Sequence, residues 1–176
     1  MVGVALNEGI PVFSFPPHAF GMSKDNEFSV SYSGQIRNAI KFGLVPVIYG
    51  DIVMDSSRGV SDISTEEVLR SLSYEMRPDV VVISTDVNGL FTKNPKTYPD
   101  AELIKFVDSG NITEALSYAG ESLKIDSTGG MRAKVLSLYK TVHATGSTGY
   151  IVNANEKGAL RDVLLGKDIS CTIFRA

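Results

Sequence analysis

Residues 126–134 read Asp-Ser-Thr-Gly-Gly-Met-Arg-Ala-Lys, a combination of residue types that can hold a polyphosphate. The hydroxyl of Ser127 or Thr128 can cap the first turn of a helix, while Gly129 and Gly130 leave unpaired backbone N–H groups open to close approach by an anion. The helix dipole adds to that attraction. Lys134 lies one helical turn beyond Gly130 and shares its face. Helical side chains tilt toward the N-terminus, so the ammonium leans back over the same site. The competing reading is that Thr-Gly-Gly merely turns the chain into an ordinary amphipathic helix with Met131, Val135, Leu138 and Val142 as its apolar stripe. The G-x-x-x-x-G-K-[ST] order of a P-loop occurs nowhere in the chain, so a nucleotide site here must use another architecture.

A second candidate follows the β-branched run Val80-Val81-Val82-Ile83-Ser84. The segment Thr85-Asp86-Val87-Asn88-Gly89-Leu90-Phe91-Thr92-Lys93-Asn94-Pro95 falls beyond the carboxyl end of an expected strand, where open α/β sheets bind ligands. Asp86 can meet a ribose, a metal-bound water shell or a neighbouring lysine, and Phe91 can flank a base. The alternative is that Asp86 and Asn88 only build a tight turn.

These segments need a scaffold, and composition bounds it. The chain has 176 residues, 43% hydrophobic and 21% charged, with a net charge of −3, enough for one real core. The expectation is a single domain over 1–176. No dense Lys/Arg cluster is present to neutralise a run of phosphates, so nucleic acid is not an expected partner. No apolar run approaches membrane-spanning length, and the first residues lack the basic flank of a signal peptide, so the expected setting is cytoplasmic and away from membranes. The single Cys171 excludes an internal disulfide framework and is expected to pack as a small hydrophobe near the last strand. His18 and His143 are too few and too far apart for a histidine zinc motif, and no metal-ligand residues are assigned.

Along the chain, short apolar runs alternate with helical patterns, as in a mostly parallel α/β sheet between helix layers. Strands are expected at Ile10–Ser14, Leu44–Tyr49, Val80–Ser84, Leu103–Val107, Tyr150–Val152 and Ser170–Phe174. Val80–Ser84 reads as a central strand buried on both faces, and Pro46 confines its own strand to an edge or to a place where one backbone donor is dispensable. Ser56-Ser57-Arg58-Gly59 marks a hairpin within Ile52–Ile63. Helices are expected at Tyr32–Phe42, from a cap at Ser64 or Thr65 to about Glu75, and at Ile112–Tyr118, Met131–His143 and Lys157–Leu165.

Four motifs, in order, resemble the amino acid kinase superfamily: Gly43 to Asp51, Ile63-Ser64-Thr65-Glu66, Ser84 to Phe91 with Asn94-Pro95, and Asp126 to Lys134. Within it they are most similar to the archaeal isopentenyl phosphate kinases. The resemblance implies an αβα sandwich and ATP-dependent phosphoryl transfer to a small-molecule phosphate substrate, with Mg2+ as cofactor. The acceptor it implies is isopentenyl phosphate. Uridylate or acetylglutamate kinases of the same superfamily, or a non-catalytic nucleotide-binding remnant, are the alternatives. Such proteins begin with a Lys-x-Gly-Gly-Ser strand and a second glycine-rich loop ending in histidine. Neither is found here, and His18, in Phe15-Pro16-Pro17-His18, falls later in the family order. The chain therefore reads as part of the acceptor-binding half plus the whole ATP-binding half, incomplete as a catalyst alone, with a homodimer partner or a complementing N-terminal segment expected.

By the same resemblance, Lys134 and the amides of Gly129 and Gly130 hold the donor's phosphates, with Lys134 also catalytic. Thr85 and Asp86 sit against the nucleotide, Phe91 and Asn94 near its base and ribose, and Gly50 and Asp51 shape the acceptor-phosphate turn. Glu66 occupies the position of an aspartate that orients lysines, with a longer side chain. Its rival role is a carboxylate at a helix N-terminus. Asn88 replaces a common aspartate.

Overall fold

The structure, a computed structural model, describes residues 2–120 and 130–176. The chain gathers into two compact units, residues 1–76 and 77–176.

In the first unit, helix α1 (Val2–Asn7) leads into strand β1 (Val12–Phe15), and β2 (Gly21–Lys24) and β3 (Glu27–Val30) form a hairpin. Helix α2 (Gly34–Lys41), β4 (Val45–Ile48), the hairpin β5 (Asp51–Asp55) and β6 (Gly59–Ile63), and α3 (Thr65–Met76) follow. Strands β1 and β4 pair in parallel with Phe13 opposite Pro46. The two-stranded sheet leaves β4 an edge, which accommodates the missing N–H of Pro46. The other sheet runs β3-β2-β5-β6. Its inner face and helices α2 and α3 bury Phe15, Phe20, Phe28, Ile36, Val53, Ile63 and Val68 in one cluster, with Phe20 and Phe28 edge to face at 5.9 Å.

The sequence reading does not anticipate α1 or the β2–β3 hairpin. The hairpin turns on Asp25 and Asn26, both at positive φ (52° and 68°), as a two-residue primed turn requires. It is a turn made without glycine, so the strongest sequence marker is missing.

In the second unit, β7 (Val80–Thr85), β8 (Phe106–Val107), α4 (Ile112–Ala119), α5 (Gly130–Thr145), β9 (Thr148–Asn153), α6 (Ala159–Leu164) and β10 (Thr172–Phe174) form one layered structure. The sheet order is β7-β9-β10-β8. Pairing is parallel between β7 and β9 and between β10 and β8, and antiparallel between β10 and β9. Successive residues of β9 face opposite ways. A Cβ on Gly149 would lie 2.7 Å from Val142 and 3.0 Å from Leu138, so glycine lets α5 close on one face. Val152, on the other face, packs with Val163 of α6 and Cys171. Helices thus cover both faces, and the thiol of Cys171 is held above its ordinary pKa by burial, with a smaller contribution from Asp168. Strand β7 departs from the central position expected of it. It ends this four-stranded sheet, and only Val81 and Ile83 of its run are buried. Among the described residues no helix is long and apolar enough to cross a membrane.

Candidate functional site

The carboxyl end of β7 opens into a cleft of about 460 Å³. The loop after β7 lines it with Thr85, Asp86, Phe91 and Asn94, the start of α5 with Gly130, Met131 and Lys134, and the end of α4 with Tyr118 and Ala119. Six residues singled out from the sequence as nucleotide ligands therefore meet in one place. Gly129, with the two capping candidates Ser127 and Thr128, lies outside the described residues.

Side-chain hydrogen bonds, most of them to backbone, fix the loop. The Thr85 hydroxyl donates to the Val87 carbonyl at 2.7 Å, closing a tight turn directly after the strand. Asn88 Oδ1 accepts from Asn153 Nδ2 at 2.8 Å, fastening the turn to the end of β9. The buried Thr172 hydroxyl accepts from the Leu90 N–H at 2.8 Å and donates to the Ile104 carbonyl at 2.7 Å. A Cβ on Gly89 would lie 2.3 Å from that hydroxyl, so only glycine lets the loop approach β10. Phe91 then bridges to Leu103, and Asn94 Oδ1 accepts from the Lys96 N–H at 3.0 Å.

Asp86 forms an ion pair with Lys96 at the rim, the neighbouring-lysine option among its three. Lys93, Lys96 and Lys134 all line the cleft, and Asp86 is the carboxylate among the lining residues. Lys93 also donates to Asp100 at 2.7 Å, which holds the Asp100 carboxyl below its usual pKa range. On α5, Val135, Leu138 and Val142 are fully buried as the stripe predicts, so the helix is anchored by one face while Lys134 lines the cleft from another. Gly130 adopts φ 58°, a conformation that favours glycine, and no described atom lies within 4 Å of a Cβ placed there. The apolar stripe expected of this helix is thus present, and Gly130, Met131 and Lys134 border the cleft.

Lys93, Lys96 and Tyr118 also line the cleft, and the sequence reading does not select them; Met131, expected in the apolar stripe, lines it as well. The two lysines had a signal, since Lys93 lies within the chosen loop and Lys96 directly follows it. Tyr118 had none, because its position depends on how α4 docks. That docking uses Arg132, whose guanidinium donates to the Leu116 carbonyl at 2.6 Å.

In the first unit, Gly50 and Asp51 lie beside the first turn of α3, which carries Glu66. The Gly50 N–H donates to Thr65 Oγ1 at 3.0 Å. A Cβ on Gly50 would meet the Ile63 carbonyl oxygen at 2.5 Å and the Thr65 nitrogen at 2.8 Å, which gives this glycine a packing reason of its own. Asp51 Oδ1 accepts from the next N–H, that of Ile52, at 2.8 Å. Of the two expected caps, Ser64 is the one that accepts from the helix, from the Glu67 N–H at 3.2 Å. Glu66 stands half-buried in the first turn.

The family model for the amino acid kinase family matches residues 1–153. The chain belongs to the amino acid kinase family. It is 36% identical over 169 residues to an isopentenyl phosphate kinase of Methanothermobacter thermautotrophicus, a match covering 95% of this chain and 62% of that protein. A glutamate 5-kinase of Methanosarcina barkeri is 33% identical over 153 residues, covering 84% of this chain and 39% of the relative. Among solved structures, an isopentenyl phosphate kinase superposes with a TM-score of 0.76 at 30% identity, covering 98% of this chain and 63% of the other. The αβα fold is thus that of an amino acid kinase, and the chain spans less than two thirds of the length of these relatives.

Proposed function

We propose that this chain carries the ATP site and part of the acceptor site of a kinase that converts isopentenyl phosphate to its diphosphate. The observation that carries the reading is the convergence of Thr85, Asp86, Phe91, Asn94, Gly130 and Lys134 on one cleft. The names of the isopentenyl phosphate kinase relatives support the acceptor. The first unit is read as the acceptor-binding part and the second as the ATP-binding half.

The residues present fit ATP. Lysines around the cleft suit a multiply charged phosphate chain, and Phe91 offers an aromatic face to the base. Magnesium is expected to arrive chelated by the nucleotide. Bound there, magnesium neutralises charge on the transferring phosphate. Lys134 binds the donor's phosphates and holds its ammonium where charge develops. Gly50 and Asp51 shape the turn for the acceptor, and Glu66 orients cationic side chains. We place this activity in the cytoplasm. A second copy or an amino-terminal segment is assigned to the β1–β4 sheet, supported by the exposure of Phe13 and Val45.

The test is a coupled ADP-release assay with isopentenyl phosphate, uridylate and glutamate as acceptors. It is run on the 176 residues and on the same residues fused behind the amino-terminal segment of the Methanothermobacter relative. The fusion is expected to turn over isopentenyl phosphate in preference, and the 176 residues to show no detectable transfer. Losing one preorganised donor costs about 10²–10³ in rate, and a whole loop costs more. Turnover by the fusion of uridylate or glutamate only would overturn the acceptor. Robust turnover by the 176 residues would remove the need for the added segment.

A further inference from the structure

The outward face of the β3-β2-β5-β6 sheet is apolar where a sheet facing water is ordinarily polar. Burial alternates strictly along β5 and β6, with Val53, Ser61 and Ile63 buried on the inner face. On the outer face Met22, Ile52, Met54 and Val60 stand 42%, 61%, 64% and 60% exposed, so no part of the chain covers them. The register puts them side by side. Met54 pairs with Val60 across β5 and β6, and the Ser23–Asp55 pairing sets Met22 beside Met54 across β2 and β5. Three strands thus present one row, Met22-Met54-Val60, with Ile52 next along β5. The two ends of β6 carry opposite charges: Arg58 sits in the turn that precedes the strand and Asp62 near its far end, both exposed. A two-fold axis along the apolar row lays that row on its own copy and runs β6 antiparallel to the β6 it faces. Arg58 then falls opposite Asp62 of the partner subunit, and the same pair recurs on the other side, as an isologous contact requires.

We propose that this face is a self-association surface whose occupant is a second copy of the chain, packed sheet on sheet with the apolar rows in register and Arg58–Asp62 pairs at the rim. Sheets pack this way when each offers an apolar face, and an apolar centre inside a polar margin is the ordinary anatomy of a protein interface. The face measures roughly 15 Å by 15 Å, from three strand spacings and four residues of rise. That is small for a specific interface, so the dimer is weak and depends on concentration. It uses a different sheet from the β1–β4 pair, which it leaves to the amino-terminal segment, and it does not depend on the chemistry of the cleft.

Sedimentation velocity over a range of concentrations tests this on the wild-type chain, Met54→Lys, Asp62→Arg and the double variant Arg58→Asp with Asp62→Arg. All three positions are exposed in the single chain, so melting temperatures are expected to stay close to wild type and to separate association from folding. Wild type is expected to pass reversibly from monomer toward dimer as concentration rises. Met54→Lys buries an unpaired ammonium from each copy and is expected to weaken association at least about tenfold. Asp62→Arg sets like charges together and is expected to weaken it roughly tenfold. The double variant restores opposite charges in reverse and is expected to return to within about threefold of wild type. A wild-type chain that is monomeric at every concentration overturns the proposal. So does a dimer indifferent to Met54→Lys, which forms through another face, and so does a double variant that associates no better than Asp62→Arg. If the 176 residues dimerise and the fusion behind the relative's amino-terminal segment does not, that segment covers the face and the proposal fails.

Discussion

Two neighbouring side chains, Ser64 and Thr65, show how closely packing and chemistry can share a motif. Ser64 caps α3 and Thr65 holds the Gly50 N–H, so this segment has structural work to do whatever else it does. Ser64→Ala is expected to cost about 1 kcal/mol, a fall in melting temperature of roughly 2–4 °C for a chain of this size. Gly50→Ala should cost more, because its Cβ would run into backbone atoms at 2.5 and 2.8 Å, which cannot swing aside as a side chain can. Overpacking of that kind costs about 1–3 kcal/mol, and thermal melts that leave Gly50→Ala as stable as wild type would contradict this account. Glu66 is separable from both. In the catalytically competent fusion, Glu66→Gln is expected to lower kcat while leaving ATP affinity nearly unchanged. A drop in melting temperature with turnover per folded molecule intact would instead make it a carboxylate serving the helix dipole.

At the scale of elements, the buried carboxylate of Asp55 joins two hairpins. It accepts from the Ser61 hydroxyl at 2.6 Å and from the N–H groups of Asn26, Ser57 and Arg58 at 2.8, 2.9 and 3.0 Å. The hydroxyl of Ser61, followed by these backbone donors, holds the Asp55 carboxyl well below the usual carboxylate range. The folded pKa lies below the unfolded value of about 3.9. Its stabilisation is therefore complete above that value and is lost as pH falls through and below it. Asp55→Asn is expected to melt lower than wild type at neutral pH, with the gap narrowing below about pH 4. A gap that is constant with pH would show that the charge is not what binds the turns. Asp55 was invisible in the sequence, since its partners come from two turns and one of those, at Asp25-Asn26, lacks glycine. The β5–β6 turn was legible, because Gly59 at φ 88° marks it. The same contrast recurs at the cleft. The β7 loop and α5 declare themselves through a β-branched run, turn residues and a 3.6-residue apolar period. Tyr118 does not, because its place depends on a tertiary bond from Arg132 that leaves no local trace. The run at Val80–Ser84 was read as central for its β-branched composition, yet β7 ends its sheet. Composition reports that a strand is present, while sheet order is set by connections elsewhere in the chain.

For the whole molecule, a net charge of −3 makes the lysine-lined cleft a local exception, so nucleotide attraction is expected to come from that patch rather than from the overall field. ATP affinity should accordingly weaken as salt rises and the Debye length shortens. The claim on which the account rests is that the start of α5 and Lys134 hold the phosphates of ATP. Isothermal calorimetry of Mg-ATP on wild type and Lys134→Met tests it most directly. A charge-assisted contact is worth about 1.5–3 kcal/mol, so the variant is expected to bind at least about tenfold more weakly while keeping its melting temperature. Equal affinity in the two proteins would contradict the account.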